Sequence, residues 1–223
     1  MVSILRECFD RNKCDKGSKH NYELIYEDFL NCAMEDINDG FSSDPLTILE
    51  IGIYKGASIK SFVEFFSYHQ FENYKIYAID TFQRVNPENI EILKHPNVEW
   101  YKADSTNNKF HEVYNGEFDM IIDDGLHTPE AQMKTFQNYW PSLKLNGSYI
   151  IEDVWPLHLM TNEERRNQWW LRKYHEEFEY SKHEKLMKVL KENTLDVIEH
   201  DHRHMTGEPD SFCFEIAKTD IHE

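Results

Sequence analysis

The chain has 223 residues, of which 40% are hydrophobic and 14% aromatic, so it is long enough to bury the core of one large domain. Its formal net charge of −17 disfavours non-specific binding to nucleic acid, because the phosphates would be repelled. No apolar run reaches the ~18 residues of a membrane span, and the polar, acid-containing N-terminus differs from a secretory signal. These features predict a cytoplasmic protein with no membrane partner.

Along the first two thirds of the chain, helical and strand patterns alternate. Residues 22–38 carry apolar side chains at helical spacing, and a loop rich in Ser, Asp and Pro follows. The next predicted elements are a strand at 47–51, a helix at 58–68, strands at 75–79, 98–102 and 119–122, a helix at 128–143 and a strand at 148–151. This alternation predicts βαβ units with a parallel sheet and right-handed crossovers.

The pattern changes after Val154. Residues 161–193 are rich in Glu, Lys, Arg and Trp and predict one or two helices, and strands are predicted at 195–200 and 211–217. A short link between these late strands predicts a hairpin that adds an antiparallel edge. The predicted fold is therefore α/β and Rossmann-like, a mostly parallel seven-stranded sheet with helices on both faces. We expect a single domain over 1–223, with an N-terminal helical cap (1–45), a core (46–154), a helical lid or interface (155–194) and the hairpin (195–223).

Acidic pairs follow two neighbouring strands of the predicted sheet. Asp123 and Asp124 close one strand, Glu152 and Asp153 close the next, and His127 lies three residues after Asp124. Because the carboxyl ends of parallel strands share one crevice, these side chains are expected to converge. Carboxylates suit a hard divalent cation and an imidazole suits a general base. Two other interpretations stay open: His127 caps the following helix, or the second acidic pair binds substrate without a metal.

A glycine-containing loop follows the first strand. The segment ILEIGIYKGASIKSF has the pattern Glu-x-Gly-x-x-x-Gly, which differs from the Gly-x-Gly-x-x-Gly loop of dinucleotide-binding proteins. Glycines allow backbone to approach a ligand closely, although an ordinary tight turn would also explain them. Asp80 ends the second strand, where an acid can accept both hydroxyls of a ribose. Asp104 and Ser105 follow the third strand, where they could contact an adenine. Asp80 and Asp104 could each instead cap a helix or lie in a solvated turn.

With these motifs together, the chain resembles class I S-adenosylmethionine-dependent methyltransferases over roughly residues 47–154. Within that class it is similar to the metal-dependent sugar O-methyltransferases that modify macrolide sugars, and to related bacterial glycan enzymes of the capsule heptose type. The closer resemblance is carried by DKGSKHNYELIYE at 15–27, LEIGIYKGAS at 49–58, IIDDGLH at 121–127 and IIEDV at 150–154.

The resemblance implies a role for each matched position. S-adenosylmethionine would be bound by Glu50, Gly52, Gly56, Ser58, Asp80, Thr81, Asp104, Ser105 and Asp123. A divalent metal, expected to be Mg²⁺, would be held by Asp124, Glu152 and Asp153. The catalytic residues would be His127, as general base, and Asp124. Residues 15–20 would fold over the cofactor or substrate.

The implied reaction is methyl transfer to a sugar hydroxyl, on a nucleotide-linked sugar for a surface polysaccharide or on an antibiotic sugar. A metal-independent methyltransferase and a non-catalytic cofactor-binding subunit of a glycan assembly complex are the alternatives. We expect a homo-oligomer, because aromatic residues of exposed type are frequent. The basic and aromatic segment 161–178 predicts an amphipathic helix or a lid that grips phosphate. Strand alternation would place His200, His202 and His204 on one face, as a solvent- or substrate-facing edge or as a metal site.

Overall fold

The computed structural model describes residues 3–107, 117–194 and 196–219. The outermost residues of the predicted domain boundaries, and Leu195, where the first late strand is predicted to begin, lie outside this part of the chain. Among the residues described, no helix is long and apolar enough to cross a membrane.

Seven strands form one sheet in the order β3-β2-β1-β4-β5-β7-β6. The strands are β1 (Leu46–Ile51), β2 (Tyr74–Asp80), β3 (Val98–Lys102), β4 (Phe118–Asp123), β5 (Leu143–Ile151), β6 (Ile198–Asp201) and β7 (Phe212–Ala217). The first five pair in parallel, and β7 runs antiparallel to both β5 and β6. The predicted Rossmann-like sheet and its C-terminal hairpin are thereby confirmed. β7 lies between β5 and β6, so the antiparallel pair β6–β7 forms one edge of the sheet.

Eight α-helices surround the sheet in the described part of the chain. They are α1 (Ile4–Arg11), α2 (Glu23–Asn38), α3 (Ala57–Tyr68), α4 (Pro129–Tyr139), α5 (Asn162–Asn167), α6 (Trp169–Lys173), α7 (Tyr180–Asn193) and α8 (Arg203–Thr206). Helix α1 has no counterpart among the predicted elements. It begins after Ser3, whose Oγ accepts a hydrogen bond from the backbone N–H of Arg6 at 2.9 Å. Such side-chain caps satisfy the unpaired donors of a helix start.

The central strands of the sheet are buried on both faces, which explains why they are largely apolar, whereas the edge strands β3 and β6 are partly exposed. Every residue of β1 is buried. Alternate side chains of a strand point to opposite faces, so Ile48 packs with Phe62 of α3 on one side and Leu49 packs with Phe136 of α4 on the other. The carboxyl ends of β1, β2, β4 and β5 are therefore held as one rigid edge.

The predicted helix at 128–143 is wrong at its C-terminal end. Helix α4 stops at Tyr139, a short 3₁₀ turn spans Trp140–Ser142, and Leu143 already begins β5. Pro141 explains the stop, because proline lacks the N–H that an α-helix would use and clashes with the preceding turn.

A buried histidine predicts how stability depends on pH. His183 on α7 is 1% exposed, its ring stacks on His158, and its Nε2 lies 2.7 Å from Nδ1 of His158. Burial lowers the pKa of His183 to about 4, below the ~6.5 of an exposed histidine. The unfolded chain therefore takes up the proton first as pH falls. The stabilisation is complete above about pH 6.5 and is lost towards pH 4, by about 3 kcal/mol.

The measurement is urea unfolding between pH 7 and pH 4.5 for the wild type and His183→Gln. The variant should lose distinctly less stability over this interval, whereas His175→Gln, at an exposed position, should follow the wild type. Equal losses of stability in all three proteins would contradict the proposal that His183 causes this pH dependence.

Candidate active site

The loop between β1 and α3 lies directly against the end of β4. Gly52 has φ of +85°, and a Cβ there would lie 2.6 Å from the carbonyl carbon of Asp124 and 2.8 Å from Cα of Gly125. Gly56, with φ of +74°, precedes the start of α3 at Ala57, and Ser58 in the first turn is buried. Glycine is therefore required at position 52 both for its backbone conformation and for the space it leaves.

The carboxylate of Asp80 supports the same loop. Its Oδ2 accepts hydrogen bonds from the backbone N–H groups of Ile53 and Tyr54, each at 3.0 Å, and its Oδ1 accepts from the N–H of Phe82 at 2.7 Å. Asp80 thus fixes the loop beside the end of β2, and Thr81 follows it at half-buried depth. Oδ1, which accepts one hydrogen bond, keeps acceptor capacity for a further donor.

Asp104 is used within its own turn. Its oxygens accept hydrogen bonds from the N–H and hydroxyl of Thr106 and from the Asn107 side chain, and these bonds, the Thr106 hydroxyl first, hold its pKa below the usual range. Ser105 is 3.0 Å from the hydroxyl of Thr135 on α4. The turn interpretation therefore describes the Asp104 carboxylate in this structure.

Two acids and one imidazole meet at the ends of β4 and β5. Nε2 of His127 lies 3.7 Å from Oδ1 of Asp124 and 4.0 Å from Oδ2 of Asp153. One possible ligand atom from each of the three lies within 4.8 Å of the other two. The cap of α4 is Thr128, whose side chain accepts from the N–H of Ala131, so the His127 side chain is not needed as the cap.

The acids around His127 determine its charge. Burial alone would lower its pKa, but Asp153, Asp124 and then Asp123 outweigh burial and raise it. Asp153 changes in the complementary direction: burial raises its pKa, and His127, His20 and the hydrogen bond from Tyr22 bring it below the usual value. Asp123 is buried and its pKa is raised to about 7 by desolvation.

A buried lysine from the N-terminal segment enters the same cluster. Lys16 is 2% exposed, and its Nζ lies 2.6 Å from Oδ2 of Asp124, in hydrogen-bond contact with Oε2 of Glu152 and 3.5 Å from Oε1 of Glu50. Its pKa is raised well above normal, because the three carboxylates outweigh the burial that opposes its charge. The resemblance described above implies that residues 15–20 fold over the cofactor or substrate, but it assigns no role to this lysine.

The rest of that segment is anchored on the C-terminal strands. The hydroxyl of Tyr22 is 2.7 Å from Oδ1 of Asp153, and Nδ1 of His20 is 2.7 Å from Oγ of Ser211. Asp153 has φ of +49°, a conformation that costs about 1–3 kcal/mol outside glycine and persists only when surrounding contacts hold it. Tyr22 is one such contact and was not expected from the sequence.

The residues of the cluster fit a divalent cation. Burial raises the pKa of Glu50 and of Glu152 to about 7, although Lys16 opposes the effect at both. Within the described part of the chain, the buried atoms Oε1 of Glu152 and Oδ2 of Asp123 have no hydrogen-bond partner. The carboxylate oxygens here outnumber the nearby basic groups, and oxygen atoms are the ligands that Mg²⁺ prefers. Asp124, Glu152 and Asp153 are the residues that would hold such an ion.

In the two remaining candidate segments the structure shows local contacts. Arg165 binds the carbonyls of Leu157 and Met160, while Trp169 on α6 is 57% exposed. The prediction that three histidines share one strand face is wrong, because β6 ends at Asp201 and the chain turns into α8. His200 instead pairs with Glu215, His202 is buried against the carbonyl of His20, and His204 is exposed.

Comparison with known proteins finds a protein family that matches part of this chain. Residues 49–154 match a protein family described as a methyltransferase domain. Over 40 residues the chain is 42% identical to 8-demethyl-8-(2-methoxy-alpha-L-rhamnosyl)-tetracenomycin-C 3'-O-methyltransferase of Streptomyces olivaceus, a match that covers 18% of this chain and 10% of that protein.

Solved structures share the fold at low identity. The MycE methyltransferase from the mycinamycin biosynthetic pathway, in complex with Mg and SAH, aligns at a TM-score of 0.66 and 18% identity, over 100% of this chain and 57% of that one. The SAH-bound methyltransferase PaMTH1 of Podospora anserina aligns at 0.59 and 16%, over 99% and 89%. The chain thus spans little more than half of MycE. Residues 49–154, a little under half of this chain, are thus similar to a methyltransferase domain, and the chain shares its fold with solved structures of methyltransferases.

Proposed function

We propose that this chain transfers the methyl group of S-adenosylmethionine to a hydroxyl of a sugar, with a divalent metal bound by Asp124, Glu152 and Asp153 and with His127 as general base. The observation that carries the proposal is the meeting of His127, Asp124 and Asp153 at the sheet edge beside the glycine loop. The name of the tetracenomycin-C 3'-O-methyltransferase, whose substrate carries a rhamnosyl group, supports a sugar acceptor, and the complex of MycE with Mg and SAH supports the metal and the cofactor.

The cofactor would lie along the edge formed by β1, β2 and β3. Gly52 and Gly56 leave room for it at the end of β1, while Asp80 and Thr81 at the end of β2 would receive its ribose. Asp104, Ser105 and Asp123 complete the proposed binding residues. In the described arrangement Asp104 already has its turn donors, so a contact with adenine would use a free lone pair.

The acceptor chemistry requires removal of a proton from a poor nucleophile. A bound metal would supply Lewis-acid stabilisation of the developing alkoxide. His127 accepts a proton only in its neutral form, and neutralisation of Asp124 and Asp153 favours that form because these acids raise its pKa. The protein's other contribution is to hold the two reactants in line.

One observation favours a metal-independent methyltransferase mechanism as a second candidate. Lys16 already places a positive charge on Asp124 and Glu152. In that mechanism His127 would act as the base without a metal, and Lys16 would compensate the negative charge of Asp124 and Glu152.

Metal removal tests the two candidates directly. Wild-type protein treated with EDTA should lose methyl transfer to a nucleotide-linked sugar or macrolide sugar, and Mg²⁺ should restore it, because a sugar hydroxyl needs its developing charge stabilised. Turnover is measured by transfer of a labelled methyl group across a panel of such acceptors. Undiminished turnover in EDTA would select the metal-independent candidate, and failure of the chain to bind S-adenosylmethionine by calorimetry would contradict both.

The cellular setting follows from the same proposal. A nucleotide-linked acceptor for a capsule or other surface polysaccharide would place the protein in the cytoplasm. A homo-oligomer is consistent with the large exposed side chains of Phe41 and Trp169, and sedimentation would measure it.

A further inference from the structure

Lys16 is the buried cation of this site and has no assigned part in methyl transfer. It is 2% exposed and touches Glu50 on β1, Asp124 directly after β4 and Glu152 directly after β5. Burial of an ammonium is costly unless its charge is paired and its hydrogen bonds are made. Lys16 pairs with two of the three acids proposed to bind the metal, Asp124 and Glu152. Its role must therefore be considered together with metal binding.

The charge balance leaves the cluster anionic. The acids that converge there are Glu50, Asp123, Asp124, Glu152 and Asp153. Lys16 and His127 face them, and Oε1 of Glu152 is buried without a hydrogen-bond partner in the described part of the chain. One ammonium therefore pairs with only some of the carboxylate oxygens, and the unpaired oxygen of Glu152 is available to a second cation.

The position of Lys16 conflicts with full coordination by the proposed ligands. The atoms of Asp124, His127 and Asp153 gather within 4.8 Å of one another, but Glu152 is not part of that group. Its Oε2 is instead bonded to Nζ of Lys16, as is Oδ2 of Asp124. Mg²⁺ demands near-octahedral oxygen ligands at 2.0–2.1 Å, and an ammonium on the same carboxylates would repel it.

We propose that Lys16 is an internal counter-cation that holds the ligand carboxylates together without metal and gives up Asp124 and Glu152 when a divalent ion binds. This inference rests on the proposed metal-dependent function. Glu50, at 3.5 Å on the cofactor side, is the acid to which the released ammonium stays paired. Lys16 is thus a positioning residue that competes with the ion rather than a catalytic residue.

The test compares the wild type with Lys16→Met and with Lys19→Met, a control in the same segment whose half-exposed ammonium lies 3.9 Å from Asp15. Calorimetric titration with Mg²⁺ measures affinity, and thermal unfolding is recorded in EDTA and in Mg²⁺. We expect Lys16→Met to bind Mg²⁺ at least tenfold more tightly than the wild type. It should unfold at a lower temperature in EDTA and regain most of that loss in Mg²⁺, since a ligand of the native state stabilises it.

The outcomes separate this inference from the proposed function. Equal Mg²⁺ affinity in the wild type and Lys16→Met would overturn the competition while leaving the metal site intact. Absence of Mg²⁺ binding in both would overturn the competition and also contradict the metal-dependent function. If Lys16→Met fails to fold in either buffer, Lys16→Gln takes its place, because it can keep hydrogen bonds without the charge; unchanged affinity in that variant would overturn the inference equally.

Discussion

Replacement of His127 by Ala is expected to reduce the rate of methyl transfer by about 10²- to 10⁴-fold, the usual contribution of a positioned general base. The imidazole lies just after the end of β4, with Nε2 3.7 Å from Asp124 and 4.0 Å from Asp153. Since α4 is capped by Thr128, the variant should fold normally. The measurement is kcat under saturating cofactor, together with cofactor affinity by calorimetry.

The control for this prediction is His175→Ala, at an exposed position outside the candidate active site. It should keep wild-type kcat. Cofactor affinity should be unchanged in both variants, because the proposed cofactor residues lie mainly on β1, β2 and β3. Full activity of the His127 variant would show that another group removes the proton.

Replacement of Gly52 by Ala is expected to destabilise the protein by about 3 kcal/mol or more and to weaken cofactor binding. The added Cβ would lie 2.6 Å from the carbonyl carbon of Asp124, and φ of +85° is unfavourable for alanine. Relief of the overlap would push the glycine loop away from β4, which carries Asp124 at its end. For a chain of this size the loss corresponds to a fall of about 6–12 °C in unfolding temperature.

Gly40 offers a matched control for the backbone conformation alone. Its φ is +80°, and a Cβ there would meet nothing within 4 Å. Gly40→Ala should therefore show the cost of the conformation, about 1 kcal/mol, without that of the overlap. Similar unfolding temperatures for the two variants would mean that the close approach of Gly52 to β4 is unimportant.

The centre of the sheet could be predicted from the sequence because its strands are buried on both faces. Continuous apolar runs marked β1, β2, β4 and β5, and β3 was predicted with its observed bounds, 98–102. The acids at the strand ends followed from the same reasoning, since a parallel sheet brings its carboxyl ends together. Errors arose where local chemistry ended an element, as at Pro141, and helix α1 was missed although its buried residues Leu5, Cys8 and Phe9 have helical spacing.

Lys16 and Tyr22 could not be assigned to the site from sequence patterns. Lys16 contacts Asp124 and Glu152 across 108 and 136 residues of chain, and Tyr22 contacts Asp153 across 131. Hydrophobic periodicity and turn signals report on neighbours within one element, so they carry no information about such pairs. The resemblance at 15–27 pointed to the segment, and the contacts within the folded chain identify the side chains.

The distance along the chain between Lys16 and its partners has a consequence for synthesis. The ribosome adds about 5–20 residues per second, so Glu152 emerges on the order of 10 s after Lys16. During that interval the lysine lacks its partner Glu152. The charged cluster can therefore be completed only after residue 153 has been synthesised, and a ribosome stalled before that point would leave the N-terminal segment without two of the acids that anchor it.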